Sequence, residues 1–239
     1  MRVLSKIKQL ISRNSLHSEY QPLLSVNNDS IFAYEALMRS EPHINPLTLI
    51  EAARECDNLY ELDTACITNA IEGFPIAYLE NHYLFINILP STIIHKDFEN
   101  YISRLLLLYP KIKSSVVFEI SEDVSEEHIW NQRLFMHRLS FLKSLEFYIA
   151  FDDLSVSKTS FEKMELLTPD YVKLDHTKSR NLSSSLAQQQ LISLFLEYTH
   201  ENMKLVLEGI EAEEDFITAK KLGVPLLQGY FISKPSRLA

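Results

Sequence analysis

Glycine is nearly missing. Only Gly73, Gly209, Gly223 and Gly229 occur in 239 residues, where ordinary usage of about 7% would give several times as many. Each glycine therefore marks a backbone requirement, and each turn built without one is informative. Cysteine is as sparse: Cys56 and Cys66 fit no zinc or redox spacing and form no disulfide framework. Two reduced thiols in a cytoplasmic protein are the expectation. No apolar run approaches the ~18 residues of a membrane span. The start, MRVLSKIKQLISRNS, lacks the apolar centre and cleavage site of a secretory signal. There is no GxxxxGK[ST] and no GxGxxG, so triphosphate and dinucleotide readings have no support. No serine sits in GxSxG. The eight histidines form no HxH or HxxxH pair, and none ends a predicted strand. A net charge of −9 argues against non-specific binding to nucleic acid polymers or anionic membranes. An acidic pocket can still take phosphates when divalent cations invert its local charge.

What is present is enough apolar material for a large core. The chain is 46% hydrophobic and 23% charged, with no Pro/Gly/Ser linker. One domain over residues 1–239 is expected. Val3, Leu4, Ile7, Leu10 and Ile11 share a helical stripe, with Arg2, Lys6, Lys8 and Arg13 largely off it. This predicts an N-terminal amphipathic helix over 1–14, packed on the domain. Further on, short apolar runs rich in β-branched and aromatic residues alternate with longer helical stretches. The runs are IFAY (31–34), YLFI (83–86), SVVF (115–118), FYIAF (147–151), DYVKL (170–174) and KLVL (204–207). Helical spacing covers 46–70, 98–108, 126–145, 160–167, 184–202 and 211–221. Repeated strand–helix units imply a parallel sheet with helices outside. At this length a closed (β/α)8 barrel is the first candidate and an open doubly wound sheet the second.

The ends of the runs carry the chemistry. IFAY is followed by Glu35, YLFI by Asn87, SVVF by Glu119, FYIAF by Asp152 and Asp153, and KLVL by Glu208. DYVKL contains Lys173 and ends in Asp175, and VPLL is followed by Gln228. Any one of these is as well explained by a helix cap or turn. Together, on the face where parallel barrels place their sites, they form a pocket of carboxylates that needs cations. Oxygen donors without imidazole or thiolate select hard ions, magnesium, manganese or calcium, over zinc. The donor count exceeds one magnesium ion, so two ions sharing a carboxylate are expected, an arrangement suited to displacement at phosphorus.

These residues fall into an ordered set of motifs. EALMR (35–39) resembles the signature of the EAL domain, the bacterial domain that hydrolyses cyclic di-GMP. YQP (20–22), FINILP (85–90), FEISE (118–122), FDD (151–153), YVKLD (171–175), LEGIE (207–211) and LLQGYFISKP (226–235) resemble that family's other motifs in order. The resemblance implies a modified TIM (β/α)8 barrel with one antiparallel strand. It implies metal ligation by Glu35, Asn87, Glu119, Asp152, Asp153 and Glu208, with magnesium or manganese active and calcium inhibitory. Lys173 would orient the attacking water, and Glu208 would be either a ligand or the general base. Gln21, Leu37, Arg39, Gln228 and Pro235 match positions that contact the nucleotide. Glu122, Asp175 and Glu211 match supporting positions, Glu122 anchoring the loop after the double aspartate. A homodimer is expected.

The family pattern D-D-F-G-T-G-Y-S-S is altered here to DDLSVSKTS (152–160), with serine at 155 and 157 in place of both loop glycines. Serine in a glycine-type left-handed conformation costs about 1–2 kcal/mol, so a different loop path is expected. Two functions follow: a metal-dependent phosphodiesterase giving linear pGpG, or a weak or inactive relative acting as a cyclic di-GMP receptor or protein-interaction regulator. With no sensor domain in the sequence, regulation is expected from expression, oligomerisation or a regulatory partner.

Overall fold

The computed structural model describes residues 15–122, 124–154, 157–199 and 203–238. The expected helix over 1–14 lies outside them, as do Ser155 and Val156. Among these residues eight strands close into a barrel in chain order: β1 (Leu16–Ser25), β2 (Ser30–Ser40), β3 (Tyr83–Asn87), β4 (Val116–Ser121), β5 (Tyr148–Asp152), β6 (Tyr171–Leu174), β7 (Lys204–Leu207) and β8 (Leu226–Leu227). β2 to β8 pair in parallel, while β1 is antiparallel to both neighbours, β2 and β8. The outer helices are α1 (Pro46–Glu55), α2 (Leu59–Glu72), α3 (Pro90–Ile93), α4 (Phe98–Leu108), α5 (Arg133–Ser144), α6 (Lys158–Leu167), α7 (His176–Ser179), α8 (Leu186–Thr199) and α9 (Glu213–Leu222).

Two predicted helical stretches are interrupted. The stretch 46–70 breaks into α1 and α2 around Asp57, whose φ of 54° cannot continue a right-handed helix. The stretch 126–145 begins as a 3-10 segment, Val124–Ile129, and becomes α-helical only from Arg133. β2 is also longer than its apolar run. Pairing with β1 carries it to Ser40, so Glu35 lies mid-strand, not at its end.

The barrel interior explains where the polar residues go. Leu23, Ala33, Phe85, Val117, Ala150, Tyr171, Val206 and Leu226, one from each strand, pack together inside it. Side chains two residues apart on a strand share a face. The next inward position on seven strands is therefore Glu35, Asn87, Glu119, Asp152, Lys173, Glu208 and Gln228. On β1, which runs the other way, it is Gln21, two residues before Leu23. An apolar rung thus supports a polar rung directly above it. A second, larger apolar layer between strands and helices, including Phe118, Phe151, Phe135 and Phe195, fixes the strands from outside.

Reversal of β1 also places its first residues at the polar rim. Leu16 stands opposite Ser40, and the amide of Glu41 donates to the Ser15 carbonyl at 2.8 Å. The last segment returns to the same strand, with Tyr20 and Ser236 exchanging backbone hydrogen bonds of 2.7 and 3.1 Å.

Candidate active site

Lys173 is the hub of the polar rung. Its side chain is fully buried, and its Nζ lies 2.5 Å from Glu119, 2.5 Å from Glu208, 3.3 Å from Glu35 and 3.7 Å from Asp152. The Asn87 amide donates to Glu119 at 3.3 Å and to Glu35 at 3.4 Å. Gln228 Nε2 donates to Glu35 at 2.8 Å and lies 3.4 Å from Gln21 Oε1, while Gln21 donates to the Ser233 carbonyl at 3.0 Å. Asp152, Asp153 and Glu208 each offer a carboxylate oxygen, all within 4.8 Å of one another.

One ammonium cannot balance five carboxylates, and the proton affinities record the excess. Burial pushes Asp152 up to about 6 and Glu208 up to about 8, in both cases against the attraction of Lys173. Burial also drives Glu119 well above the usual carboxylate range, and the charge of Glu35 adds to it. Burial would raise Glu35 too, but Lys173 and the amides of Gln228 and Asn87 outweigh it and hold that carboxyl low. Burial disfavours the Lys173 ammonium, yet the four surrounding carboxylates lift it well above a free lysine. An all-oxygen cluster with this surplus charge fits hard divalent cations, with Asp152, Asp153 and Glu208 as the clearest donor group.

Gly209 follows Glu208 at a φ of 68°, and a Cβ there would lie 2.2 Å from that of His176. Only glycine lets the β7 exit turn so closely past α7. Asp153 also has a left-handed backbone, φ 54°, and its amide donates to Asp152 Oδ1 at 3.0 Å. Ser157, by contrast, is extended at φ −134° and caps α6 by accepting from the Ser160 amide at 3.1 Å. Serine therefore carries no left-handed strain at 157, where it caps the start of α6.

Two cavities meet at the cluster, sharing Glu35, Leu37, Asp152 and Asp153. The larger, about 590 Å3, runs over apolar side chains including Met38, Leu47, Ile50 and Leu59, with Arg39 in its wall. The smaller, about 310 Å3, is lined by Gln21, Asp175, Glu211, Gln228 and Tyr230 among others. Pro235 lies outside the walls of both. Asp175 turns to its own helix, accepting from Thr177 at 2.8 Å and Lys178 at 3.5 Å. Arg39 is not free-standing: Nε donates to Glu19 at 2.7 Å and Nη1 to the Met38 carbonyl at 3.0 Å.

A family model described as the EAL domain matches residues 4–235. The chain belongs to the EAL domain family. Among relatives of this EAL domain, the cyclic di-GMP phosphodiesterase PdeF of Escherichia coli (strain K12) is 24% identical over 243 residues, covering 99% of this chain and 32% of PdeF. The chain thus spans about a third of that relative. The FimX EAL domain from Pseudomonas aeruginosa, solved with c-di-GMP bound, superposes with a TM-score of 0.87 at 21% identity, covering 100% of this chain and 98% of that one. A manganese and cyclic di-GMP complex of BlrP1 from Klebsiella pneumoniae gives 0.82 at 23% identity, covering 93% and 56%. These likenesses establish the EAL barrel fold.

Three residues around the site escaped the sequence reading. Glu19 holds Arg39 across the β1–β2 pair. Asp63 is buried in the wall of the larger cavity, where it accepts from the Leu89 amide at 3.0 Å. Lys163 pairs with Glu122 at 2.8 Å. Each is an ordinary charged residue within a helix or strand, and no spacing singles it out.

Proposed function

We propose that this EAL domain is a metal-dependent phosphodiesterase that opens one phosphodiester of cyclic di-GMP to give linear pGpG. The observation that carries the reading is the polar rung: four carboxylates and the amides of Asn87, Gln21 and Gln228 around one buried lysine, with Asp153 beside them, at the junction of two cavities. A cyclic dinucleotide has two nucleoside arms joined at phosphodiesters, and two cavities flanking an acidic cluster suit that shape. Glu35, Asn87, Glu119, Asp152, Asp153 and Glu208 are the residues that would hold two divalent cations. Bound there, magnesium or manganese would acidify water and polarise a phosphoryl oxygen.

The remaining roles belong to the chain itself. Lys173 keeps the carboxylates at fixed spacing and offers its ammonium protons toward the reacting oxygen. Arg39, with Nε and one Nη1 proton engaged, retains an end-on guanidinium edge for a phosphate. Gln228 and Gln21 form an amide ledge beside Glu35. Glu208, whose carboxyl burial raises to about 8 against the attraction of Lys173, stands beside Asp152 and Asp153, where it suits either ligation or proton acceptance.

The test is product analysis after incubating the purified protein with cyclic di-GMP and manganese or magnesium. Linear pGpG is the expected product, and Glu35→Ala or Glu119→Ala should abolish it while leaving the protein folded. Tight binding with no product in either metal would reassign the protein as a cyclic di-GMP receptor. Unchanged turnover in both variants would mean the site is elsewhere.

A further inference from the structure

We propose that Lys163 is a positioning residue for the cation site, acting on Asp152 and Asp153 through Glu122 and through Trp130. The proposal rests on the reading of the polar rung as a cation site.

Glu122 lies just beyond β4, three residues after Glu119. Its amide donates to the Asp152 carbonyl at 3.3 Å, which ties the end of β4 to the end of β5. Its carboxylate is almost entirely buried, 9% exposed, and accepts from Ser160 Oγ at 2.9 and 3.2 Å. A buried carboxylate needs a counter-charge. Lys163 supplies one at 2.8 Å from an ammonium group whose side chain is itself only 8% exposed. Glu127 also lies 3.9 Å from that ammonium but is more than half exposed, so it is the weaker partner. Glu122 therefore grips the first two turns of α6 with its side chain and the aspartate-bearing strand with its backbone.

A second route starts from the same ammonium. Lys163 Nζ stands 4.8 Å from the centre of the Trp130 ring, a fully buried side chain. Trp130 packs edge-on against Phe151 at 4.9 Å, and Phe151 is the residue immediately before Asp152. Polar tether and packing contact both end at the double aspartate, whose second member already sits in a left-handed conformation. A left-handed aspartate persists only where its surroundings over-determine it. Lys163 is the side chain common to both constraints.

The test compares Lys163→Met, Lys163→Arg and the double variant Glu122→Gln/Lys163→Met in the full chain. Manganese binding is titrated by electron paramagnetic resonance, alongside turnover of cyclic di-GMP at varied manganese. Lys163→Met should raise the manganese concentration for half-occupancy by ~10-fold or more, the usual effect of losing an outer-sphere support. Turnover should fall at limiting manganese, with KM for the dinucleotide unchanged at saturating metal. Lys163→Arg should recover most of the affinity. A folded Lys163→Met protein that binds manganese like the wild type overturns the proposal. Should that variant not fold, the double variant, which buries no unmatched charge, is titrated in its place. The same loss of affinity is then expected, and wild-type affinity again overturns the proposal. Wild type that binds manganese without cleaving would remove the phosphodiesterase reading and leave this one standing on the titration. Wild type that binds no manganese would remove both.

Discussion

Asp63 shows how one carboxyl couples pH to stability here. Burial raises it from 3.8 to about 6, against the hydrogen bond it accepts from Leu89, and nearby Glu126 raises it further. The folded state therefore holds this proton more tightly than the unfolded chain does. Its contribution to stability is fully present below about pH 4 and is lost as pH rises through about 6. Asp63→Asn keeps an acceptor for the Leu89 amide and removes the charge. It should be more stable than wild type at pH 7.5, by a few kcal/mol at most. The advantage should shrink from pH 6 downward and vanish near pH 4. Thermal unfolding across that range checks it, and an Asn variant less stable at pH 7.5 would mean the carboxylate is stabilising as an anion. None of this was legible in the sequence, where Asp63 is one helical acid among many. Glu35, Asn87, Glu119, Asp152, Lys173 and Glu208 were legible because each stands two residues beyond an inward apolar one. The sequence rule of strand ends was a proxy for that two-residue period. It failed for Gln21, which precedes its apolar partner on the reversed strand, so only the family motif pointed to it.

At the scale of the element, the start of α6 bears on the loop after the double aspartate. Serine is strained only where a left-handed conformation is kept, and Ser157 is instead an extended N-cap whose hydroxyl accepts from the Ser160 amide. Ser157→Ala should cost about 1 kcal/mol, whereas Ser157→Gly should cost only a few tenths. Chemical denaturation of the two variants measures the difference. Equal losses would show that the hydroxyl does not cap the helix in solution. The helical stretches were readable from periodicity, and 98–108 coincides with α4. The breaks were not, because Asp57 lies inside an unbroken helical spacing of apolar residues and aspartate enters a left-handed turn only at some of its positions. β1 was invisible as a run for the same kind of reason: Leu16–Ser25 mixes polar residues into a strand held by two antiparallel neighbours.

Over the whole molecule, the proposed cation site requires a closed barrel, since its donors come from five different strands or their exits. A ligand that binds the folded state alone stabilises it by mass action, about 2.7 kcal/mol at one hundred times its Kd. Manganese should therefore raise the unfolding temperature of the wild type in a concentration-dependent way, and the rise should be lost in Asp152→Asn. A wild-type melting curve indifferent to manganese would count against any cation at the rung. Fold class was legible from alternating runs and helices, and closure followed from length. Periodicity could not supply the reversal of β1, because period-two patterning does not encode strand direction; only the family resemblance implied one antiparallel strand.

That reversal has a mechanical consequence. Ser15 and Ser236 are both laced to strands at the mouth of the barrel, far from its floor. A tug or twist applied at Ser15 reaches Arg39 along the β1–β2 pairing, while α1 and α2, packed on Leu16, share the load. The domain is built like a cup with its handle fixed to the brim.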